Sequence, residues 1–221
     1  FNRELVSGFV GASPGPKEPI WFEGRIQALG FLVNDEEVVL WVASNISARH
    51  HLEVKLRELS DTDQLTGLYN RRKLEHDLAL HYESLARFYI PTSICMFDLD
   101  NLKQINDTKG HHVGDEMIQA VANICRSSLR ISDTACRVGG DEFVVALPNT
   151  AHEQALQFAK RMHDRFNQEL CQFSLEGTAI TASIGVTTMM LEDQSYEDAL
   201  KRADLALYKA KHLGKNRIVS T

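Results

Sequence analysis

Arg137-Val138-Gly139-Gly140-Asp141-Glu142-Phe143 joins two short apolar runs, residues 135–138 and 143–147. Each run has strand length, and the paired glycines between them predict a tight hairpin turn built on positive φ. The turn has two acids at its tip. Hairpins with glycine and acids are common, so taken alone the segment reads as well for an ordinary surface turn as for a site. It still decides the fold class. The chain around it alternates helix and strand, and a hairpin inside such a series argues for a mixed sheet over a fully parallel, doubly wound one.

Upstream of the turn, Leu74, Leu78, His81, Leu85 and Phe88 mark one face of a helix, residues 92–99 form an apolar strand, and Ile118, Val121, Ala122, Cys125 and Leu129 recur at helical spacing. Downstream, Ala155, Phe158, Ala159, Met162 and Phe166 form another helix face, followed by a strand over residues 178–188. A last helix starts at Ser195, whose side chain is placed to cap it with Asp198 three residues on, and stops at Gly214, a fitting left-handed residue. A strand over 216–220 closes the chain. The order α-β-α-β-β-α-β-α-β predicts an α+β domain with a mixed central sheet flanked by helices.

The segment before residue 61 is different. Three prolines and three glycines in residues 8–19 make a loop. Two strand-like stretches follow, residues 21–32 and 38–46, with a turn at 34–37. From Ser47 the period becomes helical. Leu52, Leu56 and Leu59 form a short seam that suits a coiled coil or packing within the chain equally well. His50 and His51 beside it read as solvated.

Composition narrows the function. The chain has 221 residues, 43% hydrophobic and 24% charged, with a net charge of -6. That balance is ordinary for a globular protein and argues against a broad basic face for nucleic acid. Cys95, Cys125, Cys136 and Cys171 include no C-x-x-C pair and read as reduced, mostly buried thiols of a cytoplasmic protein. No apolar run reaches membrane-spanning length, so membrane contact is not expected from these residues, and an anchor would lie upstream of them.

Two further groups bear chemistry. In Phe97-Asp98-Leu99-Asp100 the strand alternation sends Asp98 and Asp100 to one side and Leu99 to the other. Carboxylates ending an apolar strand need a compensating charge, which a divalent cation supplies, or else mark a strand leaving the core for water. Lys211 and Lys215 end the last helix, where they suit phosphate, or simply the helix dipole.

Over residues 60–221 the chain resembles the GGDEF family of diguanylate cyclases. The resemblance rests on Asp63-Gln64-Leu65-Thr66-Gly67-Leu68-Tyr69-Asn70-Arg71-Arg72, then Asp98 to Lys103 with Ile105-Asn106-Asp107 and Gly110-His111 to Gly114-Asp115. It continues through Gly139 to Phe143 and closes with Ala203-Asp204, Ala206-Leu207-Tyr208, Ala210-Lys211 and Gly214 to Arg217. It implies a ferredoxin- or palm-like nucleotidyl cyclase fold. It also implies condensation of two GTP into cyclic di-GMP with release of two pyrophosphates by a head-to-head homodimer. Mg²⁺, or Mn²⁺ in its place, would be present as two ions per site, on the Asp98 and Asp141 carboxylates and the Leu99 carbonyl. Asp141 or Glu142 would position or deprotonate the ribose 3′-hydroxyl, and Lys103 would balance charge. Asn106 and Asp115 would read guanine. The backbone from Asn101 through Leu102 to Lys103, with Lys211 and Lys215, would hold the β- and γ-phosphates, and Gly139 and Gly140 would let the nucleotide approach the turn.

The same resemblance implies product inhibition at Arg130-Ile131-Ser132-Asp133, an R-x-x-D site at the usual offset from Gly139, with Arg161 as a second contact. Leu102 stands where many members have Phe, and Lys215 replaces the commoner Arg, keeping charge but losing the bidentate fork. Residues 20–49 resemble the last strands of a PAS sensor domain, through Trp21 to Ile26, Val39 to Val42 and Asn45 to Arg49. The expected division is a PAS-like fragment over 1–46, a signalling helix over 47–62 and the cyclase domain over 63–221. The alternative is a catalytically silent domain that only binds GTP or cyclic di-GMP. Retention of Asp98, Asp141 and Glu142 argues against it, and Asn106 with Asp115 argues against an ATP-using cyclase.

Overall fold

The computed structural model describes residues 6–7, 20–33, 36–52 and 61–221. The chain divides into two compact units, residues 1–60 and 61–221.

In the first unit β1 (Val6–Ser7), β2 (Phe22–Val33) and β3 (Glu36–Asn45) form an antiparallel sheet in that order. Ile26 faces Trp41 and Ala28 faces Val39 across the β2–β3 ladder, whose register breaks between Ala28 and Leu32. Both strands follow the β-branched and aromatic runs of the sequence. Residues 47–52 are helical. The Trp21 amide donates to Ser47 Oγ at 2.9 Å, and the Trp21 ring lies 4.3 Å from that of His50. His50 is therefore packed, contrary to the solvated reading, because an indole offers it an apolar face. Leu56, Leu59 and the 8–19 loop lie outside the described residues.

The second unit runs β4 (Tyr69–Asn70), α1 (Arg71–Phe88), β5 (Thr92–Asp100), α2 (Leu102–Lys109), α3 (His111–Ser128), β6 (Thr134–Arg137), β7 (Glu142–Pro148), α4 (His152–Glu169), β8 (Thr181–Thr188), α5 (Tyr196–His212) and β9 (Ile218–Ser220). Six strands form one mixed sheet in the order β4-β6-β7-β5-β8-β9. Central β5 is antiparallel to β7 and β8, while β4–β6 and β8–β9 are parallel. The hairpin and the mixed sheet are as the sequence predicts.

Because β5 is central, both of its faces are buried. Cys95, Phe97 and Leu99 join Phe143, Val145, Ile184 and the inner residues of α3 and α4 in one core. Phe97 packs 5.4 Å from Phe143 and 5.1 Å from Phe166. Ile94 joins Val144, Ala146, Leu74, Leu78 and Leu85 of α1, and Ala199 and Ala203 of α5, in the other core. Helix α5 can sit so close because Gly185 of β8 has no side chain. A Cβ there would lie 2.3 Å from the Ala203 carbonyl and 2.4 Å from the Leu207 amide.

Some local expectations differ. Phe88 is 67% exposed, because α1 ends there and Tyr89 turns left-handed. Strand β8 begins at Thr181, since Thr178 pairs with Leu175 in a small turn. The Ser195 hydroxyl meets Glu197 and does not cap α5, while Asp198 accepts from the Gln194 amide at 3.0 Å. The α5 terminus follows the expectation. Gly214 has φ +112°, its amide donates to Lys211 O, and the Lys215 amide donates to Ala210 O at 3.1 Å. Helix α2 is additional, with only Leu102 and Ile105 buried and so no periodic signal. Among the described residues no helix is long and apolar enough to cross a membrane.

Gly185→Ala should therefore lower the unfolding free energy of the 61–221 unit by about 1–3 kcal/mol, because α5 must shift away from β8. Urea unfolding reads this directly. A change within about 0.5 kcal/mol, the range of an ordinary surface substitution, would rule out the close approach.

Candidate active site

Strand β5 ends where β7 and β8 begin, and the acids collect there. Asp98 pairs with Glu142 across the β5–β7 register, and the Leu99 amide donates to Asp141 O at 3.3 Å. The three acidic residues expected to act together are thus fixed by the ladder. Asp98 is buried, at 4% exposure, and its Oδ2 accepts from Lys211 Nζ at 2.7 Å. Burial pushes its carboxyl up to about 6. The Lys211 hydrogen bond opposes the rise, and the negative charges of Asp141 and Glu142 add to it.

The glycine turn differs from its sequence reading. Neither Gly139 nor Gly140 has positive φ. A guanidinium imposes the turn instead. Arg137 donates from Nε to Gly139 O at 3.1 Å and from Nη2 to Gly140 O at 2.8 Å. Its Nη1 donates to both Asp63 oxygens, at 3.2 and 3.3 Å. The glycines matter as bare surface. A Cβ on Gly139 would lie 2.7 Å from Glu142 Oε2, and one on Gly140 would meet nothing within 4 Å.

Asp63 and Arg137 have no role in the sequence reading, although Asp63-x-x-Thr66-Gly67 has the form of a side-chain-closed turn. Asp63 accepts from the Thr66 amide at 2.9 Å and its hydroxyl at 2.6 Å. Burial works against the ionised Asp63, but Thr66 and Arg137 outweigh it and hold the carboxyl below the usual range. Helix α3 secures the same loop, with Arg126 donating to Thr66 O and Gln119 to Leu65 O at 3.4 Å.

Helix α2 starts beside the acids. Asn101, with φ 67°, precedes it, and its carbonyl accepts from the Gln104 amide at 3.0 Å. The amides of Leu102 and Lys103 are the first of the helix and have no acceptor within it. Lys103 is exposed. Lys215 Nζ donates to Asn101 Oδ1 at 2.7 Å, so Lys211 and Lys215 both reach the end of β5. Asn106 lies against α3 at Gly114, where a Cβ would be 1.9 Å from Asn106 Oδ1. That oxygen is buried without a hydrogen-bond partner, and the neighbouring Asp115 is exposed. Asp100 is engaged within the chain, with both its oxygens accepting hydrogen bonds from Thr181, Ser183 and the Asn216 amide.

Arg130, Asp133 and Arg161 line a separate cavity of about 150 Å³, with Gln154, Gln157 and Phe158. Asp133 Oδ2 accepts from the Arg130 amide at 2.9 Å, and the Arg161 guanidinium stands 5.8 Å from the Phe158 ring centre. The cavity lies at the start of β6 and the glycine turn at its end, roughly 13 Å apart along four strand residues. Cys95, Cys125 and Cys136 are buried, with thiols pushed up to about 12 by burial, and Cys171 is exposed.

The fold and the acid-bearing hairpin define a nucleotidyl-cyclase type of domain, and comparison with known proteins agrees. The chain belongs to the GGDEF family: the family described as diguanylate cyclase, GGDEF domain, matches residues 60–217. The response regulator PleD of Caulobacter vibrioides is 40% identical over 173 residues, 77% of this chain and 38% of that protein. A diguanylate cyclase of Vibrio cholerae is 36% identical over 179 residues, 81% of this chain and 55% of its own length. The chain thus spans about half or less of these relatives. Among solved structures, the coiled coil and GGDEF domain of DgcB from Caulobacter crescentus in complex with c-di-GMP superposes with a TM-score of 0.72. It is 28% identical and covers 79% of this chain and 92% of that one. The active GGEEF domain of a Vibrio cholerae diguanylate cyclase gives 0.64 at 36% identity, covering 71% of this chain and 97% of that one.

The buried Asp98 makes a stability prediction. A carboxyl that titrates near 6 when folded and near its ordinary 3.8 when unfolded favours folding while protonated. That contribution is complete below about pH 4 and is lost as pH rises through about 6. Without divalent metal, Asp98→Asn should gain about 1–3 kcal/mol over wild type at pH 7 and little at pH 4. Urea melts at both pH values test this, and parallel profiles for the two proteins would refute it.

Proposed function

We propose that this chain condenses two GTP molecules into cyclic di-GMP, as a head-to-head homodimer in which each protomer presents one GTP. The observation supporting this most strongly is the buried Asp98 carboxylate, set by strand register beside Asp141 and Glu142 and facing Lys211.

The donor set fits a hard divalent cation. Asp98 and Asp141 offer carboxylates and Leu99 a carbonyl, and burial leaves Asp98 in need of positive charge. Among the described residues no group of three or more His, Cys, Asp or Glu side chains stands close enough to hold a metal unaided, so water and phosphate oxygens would have to complete the shell of Mg²⁺ or Mn²⁺. When bound, two such ions supply charge stabilisation and a more acidic 3′-hydroxyl. Asp141 or Glu142 positions that hydroxyl or accepts its proton. Asn106 and Asp115 read the guanine edge. The amides from Asn101 to Lys103, with Lys211 and Lys215, hold the β- and γ-phosphates, Lys103 balances charge, and the bare backbone of Gly139 and Gly140 admits the nucleotide. In each half-reaction a 3′-oxygen–phosphorus bond forms as the bond from the α-phosphorus to the bridging oxygen breaks, and pyrophosphate leaves. The protein contributes alignment and electrostatics.

Cyclic di-GMP inhibits by binding at Arg130 and Asp133, with Arg161 as a further contact. Arginine forks onto its phosphates and aspartate accepts from guanine. Residues 1–46 are PAS-like sensor sequence, and residues 47–62 relay the sensor's state to the cyclase domain over 63–221.

Incubation of the purified dimer with GTP and Mg²⁺ should release pyrophosphate and cyclic di-GMP, and folded, dimeric protein yielding neither would end the enzyme reading. Asp141→Ala should reduce turnover by at least about 100-fold with an unchanged melting profile. Near-normal turnover would show the metal assignment to be wrong. Arg130→Ala should raise the half-inhibiting concentration of added cyclic di-GMP by about tenfold or more. An unchanged value would remove the inhibitory site from the proposal.

A further inference from the structure

Asp100 ends β5 on the same face as Asp98, yet its surroundings are opposite. It is 2% exposed, and its needs are met within the chain. Oδ1 accepts from Ser183 Oγ at 2.9 Å, and Oδ2 accepts from Thr181 Oγ1 at 2.7 Å and from the Asn216 amide at 3.1 Å. Thr181 and Ser183 are themselves buried. A carboxylate has about four acceptor positions, so the three donors leave little for a metal.

The Asn216 bond matters because of where it falls. Lys215 and Asn216 follow α5 with φ of 61° and 45°, and Asn101, next to Asp100, has φ 67°. Left-handed backbone is uncommon for residues with side chains, least so for Asn, and Lys215 is the one of the three that most needs its neighbours to hold it there. The end of α5 fixes Lys215 from one side, through the hydrogen bond its amide donates to Ala210 O. Asp100 fixes Asn216 from the other. Between these anchors Lys215 Nζ is delivered to Asn101 Oδ1 at 2.7 Å, at the start of α2.

We propose that Asp100 is a positioning residue for the triphosphate. It clamps the Lys215–Asn216 segment over the N-terminus of α2, so that the lysine and the first α2 amides face one phosphate group. It does not ligate metal. The proposal rests on the reading above that the β- and γ-phosphates lie there, and the experiment separates the two.

Asp100→Asn in the full chain should raise the KM for GTP about tenfold and change kcat less than about threefold. The Mg²⁺ midpoint at saturating GTP should stay in place. By calorimetry with an α,β-methylene GTP analogue, the variant should bind about tenfold more weakly, with GMP binding unchanged. Adding Lys215→Ala should cost little more, since both changes remove one device. If Asp100→Asn does not fold, Thr181→Val removes one Oδ2 donor and should weaken the analogue about threefold. An unchanged analogue affinity, an equal loss for GMP, a shifted Mg²⁺ midpoint or additive losses with Lys215→Ala would each overturn the positioning role. Wild type that neither binds the analogue nor makes product would overturn the GTP reading and this role with it. Wild type that does both while Asp100→Asn behaves identically would overturn this role alone.

Discussion

Burying carboxylates at the end of the central strand is the constraint around which the working end of the sheet is arranged. An ionised carboxylate removed from water costs several kcal/mol unless donors or charge replace its hydration. Strand alternation puts Asp98 and Asp100 on one face of β5, two residues apart, so both incur that cost. They meet it differently. Asp100 is surrounded by hydroxyls of β8 and a main-chain amide. Asp98 has Lys211, whose side chain is 36% exposed, and has Asp141 and Glu142 nearby. Its carboxyl rises because the protein leaves it short of donors. A group held short in this way is ready to accept charge from a ligand, whereas Asp100 is not.

The glycine turn follows a related logic. Two glycines without side chains leave open backbone beside the acids, but glycine is also the residue that loses most freedom when ordered. A turn that must stay bare therefore has to be shaped by something outside itself. Arg137 does this by gripping two of its carbonyls, and Asp63 grips Arg137 in turn. The Asp63 loop is held to α3 through Arg126 and Gln119. The turn's shape thus depends on residues at the start of the domain and on a helix of the opposite layer.

Much of this was legible in local pattern. Helical spacing places α1, α3 and α4, because each buries a continuous stripe, Gly214 marks the end of α5, and the hairpin is visible as two apolar runs around glycine. Helix α2 was not, since Leu102 and Ile105 are its only buried residues and two positions make no period. The glycine φ values depart from the local pattern because their cause, Arg137 tied to Asp63, spans 74 residues. The same holds for Asp100. Its partners lie 81, 83 and 116 residues away, and nothing local distinguishes its carboxylate from that of Asp98. The pairing of Asn106 with Asp115 came from family resemblance. The structure adds a physical reason for Gly114, which leaves room for the Asn106 amide.

The charges at this end also bear on the order in which ligands can bind. Two carboxylates and one carbonyl are a poor cage for a bare divalent ion, and Lys211 already occupies Asp98. Lys103 and Lys215 stand at the start of α2, so an incoming cation meets positive charge as well as negative. A bare triphosphate meets the reverse problem, because the helix amides and lysines attract it while Asp98, Asp141 and Glu142 repel it. Each ligand neutralises what opposes the other. On the proposed reading, a metal–nucleotide complex carries both charges into the site together and frees Asp98 from Lys211 as the lysine turns to phosphate. On that reading the site would be matched to the complex as a unit, and its separate affinities for cation and nucleotide would be held down by the same charges that favour the pair.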